Sequence, residues 1–153
     1  MAYGNFPNDG FFIQVTADDE ATPLAQITVD AVLELSHIVV HAQKVGTHTD
    51  EALTLEIHNQ EYVDTPIFTS DTYSYTDLDI GSSHWAGTIT FDFDRVPLNP
   101  NISYWVKVRA SNYNYTDDSQ YICFQMDWPE PINTPATPQF PGAALGIYGY
   151  ENV

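Results

Sequence analysis

At 153 residues, 43% of them hydrophobic, the chain is the length of one domain and can bury one core. Four Lys plus Arg against 21 Asp plus Glu leave a formal charge of −17, which excludes phosphate backbones and anionic membranes as partners. A single cysteine, Cys123, excludes an internal disulfide and multi-cysteine zinc sites.

Period-two alternation is the only sustained periodicity, so the chain is expected to be all-β with minimal helix. Phe11, Ile13 and Val15 alternate with Phe12, Gln14 and Thr16, the pattern of a strand with one buried face, and the acidic run Ala17-Asp18-Asp19-Glu20 ends it. Residues 23–35 read as a strand around 25–29 followed by a bend, with a short helical turn around 30–33 as the other option. Leu35, Ile38, Val39 and Val40 suit a further strand. Gly46 marks a turn before Leu53, Leu55 and Ile57 alternate with Thr54, Glu56 and His58.

Pro66 ahead of Ile67, Phe68 and Thr69 predicts an edge or sheet-switching strand, because proline cannot donate to a central ladder. Residues 73–85, polar and aromatic, read as a long loop. After Gly87, the residues Ile89, Phe91 and Phe93 face one way and Thr88, Thr90, Asp92 and Asp94 the other, until Pro97 and Pro100 close the strand. Tyr104, Val106, Val108 and Ala110 form the next inward face, with Trp105, Lys107 and Arg109 outward. Ile122, Phe124 and Met126 oppose Tyr121, Cys123 and Gln125 in what reads as the last strand. About eight short strands without crossover helices predict an antiparallel β-sandwich of jelly-roll type. The other candidate, an immunoglobulin-like sandwich, lacks the Cys, Trp and Cys spacing.

Residues 1–128 are thus read as the sandwich domain. Residues 129–153 change composition: Pro129, Pro131, Pro135, Pro138 and Pro141 are half of the ten prolines, followed by Gly142, Gly146 and Gly149. This segment reads as an extended C-terminal arm, with Leu145, Ile147, Tyr148 and Tyr150 as its partner-binding anchors. A tail folded back along its own sandwich is the other option.

The runs Ile38-Val39-Val40-His41-Ala42-Gln43-Lys44-Val45-Gly46, Leu53-Thr54-Leu55-Glu56-Ile57, Ile89-Thr90-Phe91-Asp92-Phe93 and Leu98-Asn99-Pro100-Asn101-Ile102-Ser103-Tyr104-Trp105-Val106 come in that order. In this the chain resembles the jelly-roll β-sandwich accessory modules of tailed-bacteriophage virions, found in capsid decoration, head-fibre and tail proteins, and related carbohydrate-binding-like modules. The resemblance is one of pattern, spans residues 35–126 and includes no catalytic motif. It implies a binding or structural module rather than an enzyme.

Residue chemistry points the same way. His37 and His41 share a strand face but stand too far apart for one metal ion, and no third ligand has a fixed local spacing. Asp77, Asp79, Asp117 and Asp118 are the oxygen donors that would suit calcium in sandwich loops, although solvated turn acids explain them as well. No Gly-x-Ser-x-Gly elbow or phosphate loop occurs. Tyr73, Tyr75, Trp85, Trp105, Tyr113 and Tyr115 fall in loops or on outward faces and suit sugar stacking or protein contacts. The expected function is therefore a non-enzymatic virion structural protein, a capsid decoration or head-accessory subunit on the outer surface, that binds other virion proteins such as the capsid or head fibre. Self-association is compatible with this, and no cofactor is expected beyond possible calcium. The alternative is a carbohydrate-binding module that holds surface glycans through Tyr and Trp. Residues 1–10 carry no basic and apolar leader pattern, and no run is long and apolar enough to span a bilayer, so neither a signal peptide nor a membrane partner is expected.

The charge has a direct test. Passed over heparin or duplex DNA near physiological salt, the protein should elute without retention; retention above moderate salt contradicts the exclusion of polyanions.

Overall fold

A computed structural model describes residues 2–6, 10–14, 21–45, 52–59, 65–74, 87–111, 121–125, 136–138 and 145–151, and none of these is helical. They form twelve strands: β1 (Ala2–Phe6), β2 (Gly10–Gln14), β3 (Ala21–Val29), β4 (Leu33–Val45), β5 (Ala52–His58), β6 (Phe68–Thr69), β7 (Tyr73–Ser74), β8 (Gly87–Leu98), β9 (Tyr104–Ser111), β10 (Tyr121–Gln125), β11 (Ala136–Pro138) and β12 (Leu145–Glu151). The bend expected between 29 and 35 is a turn joining β3 to β4, with strand on both sides.

Two six-stranded sheets result, and every pairing within them is antiparallel. The first runs β1-β2-β10-β4-β12, with β8 also on β4; the second runs β11-β3-β9-β5-β6, with β7 also on β5. The pairings are nested: β5 takes β6 and β7, β4 takes β8, β3 takes β9 and β2 takes β10. The chain is therefore one long ribbon, folded back after β5 and wound so that successive lengths fall in alternate sheets. Cross-pairings β4·β10 and β5·β9 close each sheet.

The faces between the sheets share one apolar core. Ile27, Leu35, Ile38, Val40, Leu53, Leu55, Ile57, Val106, Val108, Phe124 and Ile147 are fully buried, and Phe91 nearly so. As the alternation predicts, Ile89, Phe91 and Phe93 are buried, while Thr90, Asp92 and Asp94 are exposed. Tyr73 joins the second sheet to the first, its ring 6.0 Å from that of Phe91. The backbone N–H of Asp71 donates to the carbonyl of Asp92 at 2.9 Å across the same side of the sandwich. Between β6 and β7 the ladder on β5 is completed by Ser70, whose hydroxyl accepts from the Leu55 N–H at 2.9 Å.

Prolines fall where the ladder spares them. Among the described residues, Pro97 is on β8, which pairs only with β4, and Pro138 is on β11, which pairs only with β3; Pro23 marks the bulge in β3. The turn from β8 to β9 is pinned by the Asn99 N–H donating to the Tyr104 hydroxyl at 2.8 Å. Asn101 there takes a left-handed φ of 66°, a conformation asparagine tolerates better than most side chains.

Two strands lie beyond the expected last one, and they revise the reading of the C-terminal segment. β11 pairs with β3, and β12 pairs with β4 from Leu145↔Val40 to Glu151↔Leu33. Ala42 pairs with Gly87 on one edge and with Phe124 on the other, and Val40 likewise pairs with Ile89 and Leu145. Hence β10 and β12 lie end to end along the same edge of β4, and β12 continues the line that β10 leaves. Ile147 was expected to anchor a partner; its place on the inward phase of β12 instead buries it completely in this chain's own core. Gly149 is required by close approach, since a Cβ there would overlap the Glu34 carbonyl of β4.

Two denaturation experiments test this packing. Phe91→Ala should cost about 3–5 kcal/mol and Thr90→Ala less than about 1 kcal/mol, and equal losses would show the register to be wrong. Ile147→Ala should cost about 2–5 kcal/mol, and Gly149→Ala should also destabilise by forcing β12 off β4. Native-like melting of both would mean that the C-terminal strand does not belong to the sandwich.

Candidate functional site

The outer face of the first sheet carries an exposed aromatic strip, and a phase shift in β4 builds it. Strict alternation from Leu33 and Leu35 would turn His37 inward. Instead β4 bulges at Ser36: relative to β12, Leu35 pairs with Gly149 and His37 with Tyr148. The inward phase resumes at Ile38, Val40 and Ala42, so Glu34 and His37 share the outer face. β8 bulges at the same level, with Leu35↔Val96 and His37↔Asp92, and Arg95 within that bulge has a φ of 49°.

Two rows of side chains then cross three strands. One is Asp92, His37 and Tyr148; the other is Pro97, Glu34 and Tyr150. The His37 and Tyr148 rings stack at 4.7 Å with an interplanar angle of 14°, and His37 Nδ1 is hydrogen-bonded to the Ser36 hydroxyl at 2.8 Å. Arg95 donates to Glu34 Oε2 through Nη2 at 2.6 Å and Nε at 3.0 Å, while its guanidinium carbon lies 4.3 Å from the Tyr150 ring centre. These contacts orient both tyrosines and leave them accessible: Tyr148 is 36% exposed and Tyr150 56%.

Of the four expected partner-binding residues, the structure therefore brings Tyr148 and Tyr150 to the surface together and buries Ile147. For Leu145 only the backbone pairing with Val40 is described. Among the expected glycan-binding residues, Tyr73 is half-buried, its ring packed against the core beside Phe91. Trp105 is half-buried on the outer face of the second sheet, in register with His58 and Gln26. Tyr75, Trp85, Tyr113 and Tyr115 lie outside the described residues, as do the calcium candidates Asp77, Asp79, Asp117 and Asp118.

The outer face of the second sheet holds a polar cluster of different character. Glu56 on β5 receives Arg109 of β9 in a two-pronged contact, Nε to Oε2 at 2.7 Å and Nη2 to Oε1 at 3.2 Å. His58 Nε2 donates to Glu56 Oε1 at 2.8 Å, and Lys107 is the cross-strand neighbour of Glu56. Alternation correctly turned Lys107 and Arg109 away from the core. It gave no sign that Glu56, His58 and Lys107 would be as buried as core residues. A carboxylate this enclosed requires counter-charge and hydrogen bonds, and here two of the four Lys plus Arg in the chain surround it. The cluster thus stabilises the pairing of β5 with β9, whereas the exposed strip on the first sheet has the accessibility a contact face needs.

No protein-family model matches the chain, and no curated protein or solved structure is significantly similar to it.

The two arginine sites should differ in consequence. Arg109→Ala leaves a buried carboxylate short of its strongest partner and should lower stability by about 3–5 kcal/mol. Arg95→Ala removes a pair whose side chains are 61% and 35% exposed, and should cost no more than about 1 kcal/mol. Urea titration of both variants checks the contrast, which fails if the losses are equal.

Proposed function

We propose that the protein is a non-enzymatic accessory subunit of a virion, a jelly-roll module on the outer surface that binds other virion proteins through the outer face of its first sheet. The nested pairing supports the jelly-roll reading. Eight ribbon segments, with β6 and β7 counted as one, give the order β2-β10-β4-β8 in one sheet and β3-β9-β5-β6/β7 in the other, the doubled Greek key of capsid and lectin domains. The resemblance in sequence pattern over residues 35–126 supports the virion setting.

The observation that carries the binding role is the pair Tyr148 and Tyr150. Tyr148 and Tyr150 present two exposed rings at successive outward positions of one strand, and residues of this type supply the central anchors of protein interfaces. His37 and Arg95 hold the rings in place beforehand, which lowers the entropy lost when a partner docks.

Cryo-EM of purified virions locates the subunit, and incorporation of the doubly substituted Tyr148→Ala/Tyr150→Ala protein into particles tests the face. Incorporation should fall by at least about tenfold with the cooperative melt retained. A protein missing from particles, or a variant incorporated at the native level, overturns the proposal.

A further inference from the structure

We infer that the strip takes lysine and arginine side chains from an extended, basic segment of the partner protein; this rests on the reading of the strip as the contact face. Four observations lead to it.

First, the chain itself shows a cation seated there, with Arg95 over Tyr150 at 4.3 Å, while more than half of Tyr150 remains exposed. Second, the charge of Arg95 is matched by Glu34, whereas the exposed carboxylates of Asp92 and Asp94 meet no cation among the described residues. Asp92 lies in the same cross-strand row as His37 and Tyr148, so acid and aromatic face the same approach. Third, both pairs have a two-residue period. Tyr148 and Tyr150 on β12 are about 6.5–7 Å apart along the strand, the spacing of alternate side chains on an extended peptide, and Asp94 follows Asp92 two places on, within the β8 bulge. Fourth, a net charge of −17 attracts cationic segments over long range and repels anionic ones. A neutral sugar could use the rings and donate hydroxyl hydrogen bonds to the carboxylates, but the long-range attraction of the −17 charge acts on a cationic segment and not on a neutral one.

The test uses the full chain and an eight-residue peptide alternating Lys and Thr, with the same peptide carrying Glu for Lys and a neutral oligosaccharide as comparators. The Lys-Thr peptide should bind, and its affinity should fall as salt rises. Asp92→Asn and Asp94→Asn should each weaken it severalfold, and Tyr148→Ala/Tyr150→Ala by about tenfold or more. Asp30→Asn, which removes one exposed charge from the turn between β3 and β4, should leave it unchanged. Equal weakening by Asp30→Asn would reduce the effect to diffuse charge and overturn the inference. So would binding of the oligosaccharide that is lost with the tyrosines and indifferent to Asp92 and Asp94. Particle incorporation that depends on the tyrosines but not on these aspartates sinks the inference alone; incorporation that ignores the tyrosines sinks the function reading as well.

Discussion

β4 is the strand on which the first sheet depends. Its one edge is taken by β8 and its other edge by β12 and β10 in succession, while β2 and β1 join the sheet through β10. A strand hydrogen-bonded on both edges and apolar on its inner face must keep its register, because a slip of one residue would turn Ile38 and Val40 to solvent. The Ser36 bulge is the single place where β4 changes phase. That change brings Glu34 and His37 to one surface, so the same local defect that interrupts the ladder also assembles the exposed strip.

Charge is scarce in one sign, and the described cations are placed accordingly. Arg109 and Lys107 lie at the enclosed Glu56, where an unmatched carboxylate would be most costly, and Arg95 secures Glu34 beside Tyr150. Among the described residues, the carboxylates of Asp30, Asp71, Asp92 and Asp94 stay exposed at turns and on outward strand positions, where water screens them. A chain so arranged keeps its fold despite self-repulsion and carries a strongly negative field toward any partner.

The C-terminal segment shows how composition and context divide. Its prolines exclude a helix and a central strand across residues 129–141. Nothing in Leu145-Gly146-Ile147-Tyr148-Gly149-Tyr150 says whose sheet those residues join. In the fold β10 pairs with β4 from Val45 to Ala42, and β12 takes the same edge from Val40 to Leu33. Gly149 then reads as a steric requirement of that docking, visible only once Glu34 is known to lie against it.

What the sequence by itself determined is the all-β character, the strands around 53–58, 88–94 and 104–110, and their inward residues, because a two-residue period of apolar side chains has one low-energy solution when one face is dry. The formal charge of −17, which opposes contact with polyanions, is likewise a property of the sequence alone. Only the tertiary structure decided the rest. The shift from Leu35 to Ile38 is the written trace of a bulge, but two residues out of phase look the same in a loop. Of the partners of Glu56, His58 is two residues away on β5 but Arg109 lies on β9, far along the chain, and the row that joins Tyr148 to His37 and Asp92 draws on three strands. Such groupings arise from long-range pairing, which the alternation of any one strand permits and does not specify.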